Sequence, residues 1–145
     1  MSKPASEAPV IVPFLKRENG SPYLEGSKCR ACGHLFVGER KVCAKCTKRD
    51  QMDSIHLAET GTVYVYTIVY RSFPGVETPF IDVIVDLSDG AHLKGTLIGV
   101  DPDPSGIPQD LPVKIIYREM EPVNTPGTPY LTYAFEPLAS QRGPA

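Results

Sequence analysis

The sequence predicts a mostly β protein in which a small cysteine-rich module precedes a closed five-stranded barrel. Fifteen prolines and twelve glycines among 145 residues leave little room for long helices and favour short strands joined by turns. All four cysteines fall within residues 29–46, and the segments with strand composition follow them. We therefore expect one module of each kind, in that order.

The cysteines form two matched pairs, Cys29 with Cys32 and Cys43 with Cys46. Each C-x2-C places two thiolates on one tight turn, and two such turns facing each other supply the tetrahedral set of four sulfurs that zinc prefers. Gly33 suits the first turn, because a positive φ is often needed there. A site closed by four thiolates leaves no position for water, so the spacing predicts a structural zinc ion and not a catalytic one.

Other uses of the four cysteines stay open. Disulfides also need an even number of cysteines, but a reducing compartment disfavours them and the N-terminus has no signal-peptide pattern, so we expect a cytoplasmic protein. Iron also accepts four thiolates, and the sequence alone does not separate it from zinc. No apolar run reaches the roughly 20 residues that cross a bilayer, so no membrane partner is expected.

The pattern along the chain predicts four regions. In order they are a flexible lead with a short helix, the zinc ribbon, the barrel and a flexible tail, over residues 1–22, 23–50, 51–138 and 139–145. The short helix is placed over Val10–Glu18 and ends at Asn19 and Gly20. Residues 50–60 are predicted to be a polar connector.

Five segments after Gly61 are dense in β-branched and aromatic residues and are bounded by turn residues, as strands are. The predicted strands are Thr62–Tyr70, Phe80–Leu87, His92–Val100, Val113–Met120 and Tyr130–Glu136. Ser88-Asp89-Gly90 predicts a hairpin between the second and the third. Five short strands without long helices suit an OB-fold, because closing the barrel removes the exposed edges of the sheet.

Charge is divided unevenly along the chain. Residues 28–50 carry a formal charge of +5 and residues 51–145 carry −7. Tyr64, Tyr66 and Tyr70 are predicted to alternate onto one strand face, the kind of platform on which OB-folds stack the bases of single strands. An acidic barrel repels phosphate, so nucleic acid is an alternative partner and not the expected one.

Several short motifs, in this order, resemble a known family. They lie at Cys29–Gly33, Val42–Cys46, Gly61–Thr67, Thr78–Phe80, Leu97–Pro102 and Leu111–Val113. Over residues 10–138 they resemble the DUF35 family of acyl-CoA-associated proteins, which join a rubredoxin-like zinc ribbon to an OB-fold. Ala44 and Thr47 depart from the family, whose members usually carry proline and glycine there, but both thiolate pairs are intact.

The resemblance implies a non-catalytic accessory subunit that assembles with a thiolase-like catalytic subunit. That partner would carry out CoA-dependent carbon–carbon cleavage, in aromatic-compound or steroid side-chain degradation, while this chain stabilises it and assists acyl-CoA binding. A thiolase nucleophile must be a free thiolate, and the sequence holds no fifth cysteine. We therefore do not expect the chain to be an enzyme on its own.

Four basic ribbon residues are candidate contacts for the phosphates of CoA or for an acidic surface of the partner: Arg30, Arg40, Lys41 and Lys45. A solvated surface is the alternative use of these charges. For the whole chain, the first alternative function is a stand-alone protein that binds CoA or acyl-CoA. The second is an OB-fold that binds single-stranded nucleic acid.

Overall fold

Nine strands make up about half of the described chain. The computed structural model describes residues 9–10, 12–121, 127 and 129–138. The strands are β1 (Leu15–Glu18), β2 (Ser21–Cys29), β3 (Leu35–Val37), β4 (Met52–His56), β5 (Thr60–Val69), β6 (Phe80–Leu87), β7 (His92–Leu97), β8 (Pro112–Met120) and β9 (Tyr130–Pro137). Strands β1 to β4 form one sheet, and β5 to β9 form a closed barrel. Residues 1–8 of the predicted lead and the predicted tail, 139–145, lie outside the described residues.

A β-hairpin replaces the helix predicted over Val10–Glu18, so that prediction is wrong. Strand β1 pairs antiparallel with β2, with Leu15 opposite Leu24. Asn19 and Gly20 join the strands with φ angles of 54° and 83°. Two positive φ angles in a row are what a two-residue type I′ turn requires, and Asn-Gly is the dipeptide that best supplies them. The dipeptide therefore reverses one strand into the next and ends no helix.

The prediction of a polar connector over residues 50–60 is also wrong, because these residues contain strand β4. This strand pairs antiparallel with β2, from Glu25 opposite His56 to Cys29 opposite Met52. Strand β2 also pairs with β1 and β3, so it is the central strand of the sheet. The predicted metal ligand Cys29 therefore lies at the end of the central strand of the ribbon.

The barrel has the strand order of an OB-fold, β5-β6-β7-β9-β8, and β5 pairs with β8 to close it. Only the contact between β7 and β9 is parallel among these described pairs, with Leu97 opposite Phe135. The predicted mostly β fold of a ribbon and a five-stranded barrel is confirmed. The turn after Leu87 is the predicted hairpin, which runs directly into β7. No helix in the described part of the chain is long and apolar enough to cross a bilayer.

One hydrophobic core joins the sheet to the barrel. Leu15, Leu24 and Leu57 are almost fully buried and belong to the same cluster as the barrel interior. On the barrel side, the largest fully buried side chain is that of Phe135. Burial of apolar surface is the main favourable term in folding, so the shared cluster fixes the ribbon on the barrel.

A β-bulge alters the tyrosine row predicted on β5. The pairing with β6 shifts register between Val63 and Val65, so Tyr64 is an extra residue on its strand. Tyr64 is 66% exposed, whereas Tyr66 packs partly buried against the core. The prediction of one tyrosine face is therefore wrong, because a bulge reverses the alternation of the side chains that follow it. Tyr70 lies beyond the end of the strand.

Candidate metal centre

The four cysteine sulfurs converge, with every pair within 4.8 Å. Two of these separations join the two turns: 3.7 Å between the sulfurs of Cys29 and Cys46, and 3.6 Å between those of Cys32 and Cys43. In a tetrahedral site with Zn–S bonds of about 2.3 Å, neighbouring sulfurs lie about 3.8 Å apart. The donor set and its spacing therefore fit one zinc ion, which these four sulfurs would hold.

The two turns repeat the same backbone geometry. In the first, the amide of Gly33 donates to the carbonyl of Cys29 at 2.7 Å, and in the second the amide of Thr47 donates to the carbonyl of Cys43 at 2.8 Å. Gly33 has φ 82° and Thr47 has φ 66°. Thr47 thus adopts the left-handed conformation that glycine adopts most easily, at the position where the family pattern has glycine.

Backbone amides stabilise the ionised form of two of the sulfurs. The amides of Cys46 and Lys45 lower the pKa of Cys43 to about 6, despite burial, and the first lies 3.4 Å from the sulfur. The amide of Cys32 likewise lowers the pKa of Cys29. Hydrogen bonds to a thiolate favour that form, so the folded backbone prepares these two cysteines as metal ligands.

Cys32 behaves in the opposite way. The amide of His34 lowers its pKa, but burial and the neighbouring thiols outweigh this effect and raise the pKa to about 11. Thiolates packed this closely repel one another, so a cation is needed before all four can be ionised together. A divalent zinc ion supplies that charge.

Ser27 is a structural support that the sequence patterns did not reveal. It is a buried polar residue on β2, and its hydroxyl donates to the carbonyl of Gly38 at 2.6 Å. The same oxygen accepts from the amide of Arg40 at 3.2 Å. The bonds tie the segment between the two metal turns to the sheet. No sequence signal indicates this role, because strand β2 and the burial of Ser27 are seen only in the structure.

The four candidate basic residues do not converge on one site. Arg30 donates to the Asp53 carboxylate at 2.6 Å and to the Asp50 carbonyl at 3.0 Å, so it links the first metal turn to β4. Lys45 lies exposed on the second metal turn. Arg40 lies over the Phe36 ring, 4.6 Å from its centroid, as cation–π pairs do.

Arg40 and Lys41 share a cleft of about 630 Å³ on the ribbon. Lys16 also lines the cleft, and its amine lies 3.8 Å from the Glu25 carboxylate. One of the positive charges in the cleft is therefore already paired. Phe14 adds an apolar wall. Arg30 and Lys45 do not line this cleft, so only two of the four candidates face the same space.

The chain matches two domain families along its length. Residues 20–53 match the family described as the ChsH2 rubredoxin-like zinc ribbon domain, and residues 55–118 match the ChsH2 C-terminal OB-fold domain. The zinc-ribbon match and the four clustered sulfurs confirm the predicted structural zinc. No other group of three or more His, Cys, Asp or Glu side chains placed to hold a metal occurs among the described residues.

This chain is similar to three proteins whose names indicate a role. A DUF35 domain-containing scaffold protein of Methanocaldococcus jannaschii is 27% identical over 79% of this chain and 82% of its own. The benzoylsuccinyl-CoA thiolase subunit BbsA of Geobacter metallireducens is 30% identical over 57% of this chain and 56% of its own. A solved structure described as the Ltp2-ChsH2(DUF35) aldolase superposes with a TM-score of 0.62 at 28% identity, covering 79% of this chain and 84% of that one.

Proposed function

Because this chain belongs to the DUF35 family of zinc-ribbon and OB-fold proteins, we propose that it is the non-catalytic accessory subunit of a thiolase-type acyl-CoA enzyme. In this role the chain docks on a catalytic subunit, stabilises it and assists the binding of acyl-CoA. The names of the relatives support the proposal, because they include a scaffold protein, a thiolase subunit and the chain of an aldolase complex.

The convergence of all four sulfurs on one metal site is the observation that carries the non-catalytic assignment. Thiolase chemistry needs a free, activated thiolate to accept the acyl group. The sequence holds four cysteines, and all four lie in the metal cluster. The nucleophile must therefore belong to another chain.

Exposed aromatic side chains support a docking role. Phe73 is 82% exposed and Tyr70 is 64% exposed on the loop that joins β5 to β6. Large apolar groups gathered on a surface mark contact sites for other molecules, whereas single ones need no explanation. This loop carries two exposed aromatic rings within four residues, and we propose that they contact another molecule.

A native purification tests the subunit assignment. The chain is purified under mild conditions from the cell that produces it, passed through size exclusion, and whatever stays bound is identified by mass spectrometry. A thiolase-like chain in fixed stoichiometry supports the proposal and points to the substrate. A lone species of 15.8 kDa contradicts it. Micromolar affinity of that lone species for CoA would favour the stand-alone alternative.

The ribbon cleft is tested by reversing the charges of Arg40 and Lys41. We propose that Arg40 and Lys41 contact CoA phosphates or an acidic surface of the partner, since both charges face one cleft. Arg40→Glu with Lys41→Glu should weaken CoA binding by the complex or the affinity for the partner, measured by calorimetry. Lys48→Glu is the matched control, because Lys48 is exposed on the same ribbon but outside the cleft. If both affinities keep their wild-type values, these two residues have no such role.

A further inference from the structure

A second cleft, of about 670 Å³, opens on the barrel. It lies where β6 and β9 begin and where β7 and β8 end, so its lining comes from two pairs of strands, β6–β7 and β8–β9. Val76, Ile98 and Met120 form part of an apolar wall, and Arg118, Glu77 and Thr132 add polar groups. Apolar walls with a few convergent polar groups are typical of binding sites.

Arg118 lines this cleft, and its guanidinium has no ion-pair partner among the described residues. Its Nε is buried and has no hydrogen-bond acceptor among the residues that the structure describes. None of the ion pairs between those residues includes Arg118. Across the β8–β9 pair it faces Thr132, whose side chain carries no charge. A buried donor without an acceptor is costly, so the site lacks a partner with acceptor oxygens.

The chemistry of the guanidinium specifies that missing partner. Its planar fork of N–H donors matches the two oxygens of a carboxylate, which also supplies the opposite charge. The surrounding segment, residues 51–145, carries a formal charge of −7 and repels carboxylates elsewhere. An acidic group is therefore attracted at Arg118 and disfavoured around it, which fixes where a partner can dock.

The rim of the cleft extends beyond the size of a small ligand. Val76 lines the cleft, and it continues along the chain to the exposed Phe73 and Tyr70. Met120, on another wall, is 38% exposed. Protein interfaces are enriched in aromatic residues, Met and Arg, and their strongest contacts are aromatic or Arg side chains near the centre. The combination fits a protein surface better than a free metabolite.

We propose that this cleft and the loop Tyr70–Val76 at its rim are the docking site for the catalytic partner subunit. The occupant is a segment of that subunit that carries an Asp or Glu, whose carboxylate pairs with the Arg118 guanidinium. An apolar side chain next to it packs between Val76 and Met120, and the partner surface beyond covers Phe73. The inference rests on the proposed function and adds to it the face of the barrel and the chemistry of the contact.

Affinity measurements on the purified complex test this docking site. Removing a central interface anchor costs at least about 2 kcal/mol, which is about 30-fold in Kd. Phe73→Ala and Arg118→Gln should each weaken binding of the partner subunit by at least that factor in biolayer interferometry. Tyr64→Ala is the matched control, since Tyr64 is also a highly exposed aromatic residue but does not line the cleft, and its Kd should stay unchanged. Wild-type zinc content and Tm in each variant show that it is folded.

A second measurement follows the guanidinium directly. The Arg118 Nε–H resonance of ¹⁵N-labelled protein should shift when the partner subunit is added. Cross-linking of the complex identifies the partner's Asp or Glu nearest to Arg118. A double-mutant cycle between that residue and Arg118 should then show a coupling energy. A shift with millimolar succinate but none with the partner would overturn the docking site in favour of a small-carboxylate site. Self-association through the cleft, seen by size exclusion, would overturn it as well.

The outcomes separate this inference from the function on which it rests. If wild-type protein retains a catalytic subunit and the Phe73 and Arg118 variants bind it as tightly, only the docking face is wrong. If wild-type protein retains no subunit at all, the proposed function fails and the docking site fails with it.

Discussion

Replacing Cys43 with serine is the sharpest test of the metal centre. Its side chain is 0% exposed, and its sulfur lies 3.6 Å from that of Cys32 across the two turns. Structural zinc contributes about 10–16 kcal/mol of apparent folding energy in small zinc domains. The net stability of a whole domain is about 5–15 kcal/mol, so losing the ion removes an amount that the remaining ribbon contacts do not replace.

Cys32 and Cys43 differ in exposure, so their serine variants should differ in zinc binding. Cys32 is exposed, so in Cys32→Ser a water molecule reaches the fourth position of the ion and weak zinc binding survives. Cys43 is buried, so in Cys43→Ser no water reaches that position and zinc is lost. Because Leu24 of the ribbon belongs to the same core as the barrel, the loss should also lower the Tm of the whole chain.

Native mass spectrometry after dialysis against a chelator measures zinc per chain, and circular dichroism measures the Tm. The expected order of zinc retention is wild type, then Cys32→Ser, then Cys43→Ser. Ala44→Ser is the control, because Ala44 is exposed on the same turn and supplies no ligand atom. A Cys43→Ser protein with one zinc per chain and an unchanged Tm would refute the structural role. Equal losses in both cysteine variants would refute the argument from burial.

Three further outcomes follow from backbone and side-chain geometry. Thr47→Gly should raise the free energy of unfolding by about 0.5–1 kcal/mol in urea titrations, since it relieves a left-handed φ at a β-branched residue. A decrease would show that the hydrogen bond from the Thr47 hydroxyl to the Cys46 carbonyl, which the variant loses, matters more. Gly61→Ala should lower the free energy of unfolding by about 3 kcal/mol, because the new Cβ would lie 2.9 Å from the Cα of Leu87; an unchanged urea midpoint would contradict this. Burial raises the pKa of Tyr133 from its ordinary value of 10 to about 12, with the Asp82 charge adding to the shift, and burial and Glu59 raise that of Tyr117 further. A raised folded pKa stabilises the fold fully below pH 10 and the effect is lost as pH rises through 12, so the urea midpoint should fall over that window and fall less in a Tyr117→Phe, Tyr133→Phe variant.

The barrel strands could be predicted from the sequence because residues close together in the chain, the alternating apolar residues and the turn residues that bound them, determine each strand. The segment Phe80–Leu87 alternates apolar residues and is closed by Ser-Asp-Gly, and the structure has the strand with those bounds. The third predicted strand was too long at its end, since β7 stops at Leu97. The cysteine spacing is equally local, because each pair of sulfurs shares one turn.

The errors arise where a residue's neighbour is distant in sequence. Strand β4 is half polar, and only its pairing with β2 makes it a strand. The bulge at Tyr64 depends on how β5 meets β6, which composition does not encode. The barrel cleft is lined by Arg118, Ile98 and Val76, which come from three separate segments, so no sequence motif predicts this cleft. Asn19-Gly20 is different, because this dipeptide is itself a local hairpin signal, and it joins β1 to β2 where the prediction places the end of a helix.

The order of the modules along the chain also sets the order in which they can be completed during synthesis. Every zinc ligand lies within residues 29–46, whereas closure of the barrel waits until Thr60 can pair with Lys114. Local contacts form before distant ones, and chains fold from the N-terminus as they leave the ribosome. The ribbon can therefore take up its ion while the barrel is still incomplete. Leu24 of the ribbon and Leu57, directly after β4, then provide an apolar surface against which the barrel strands pack.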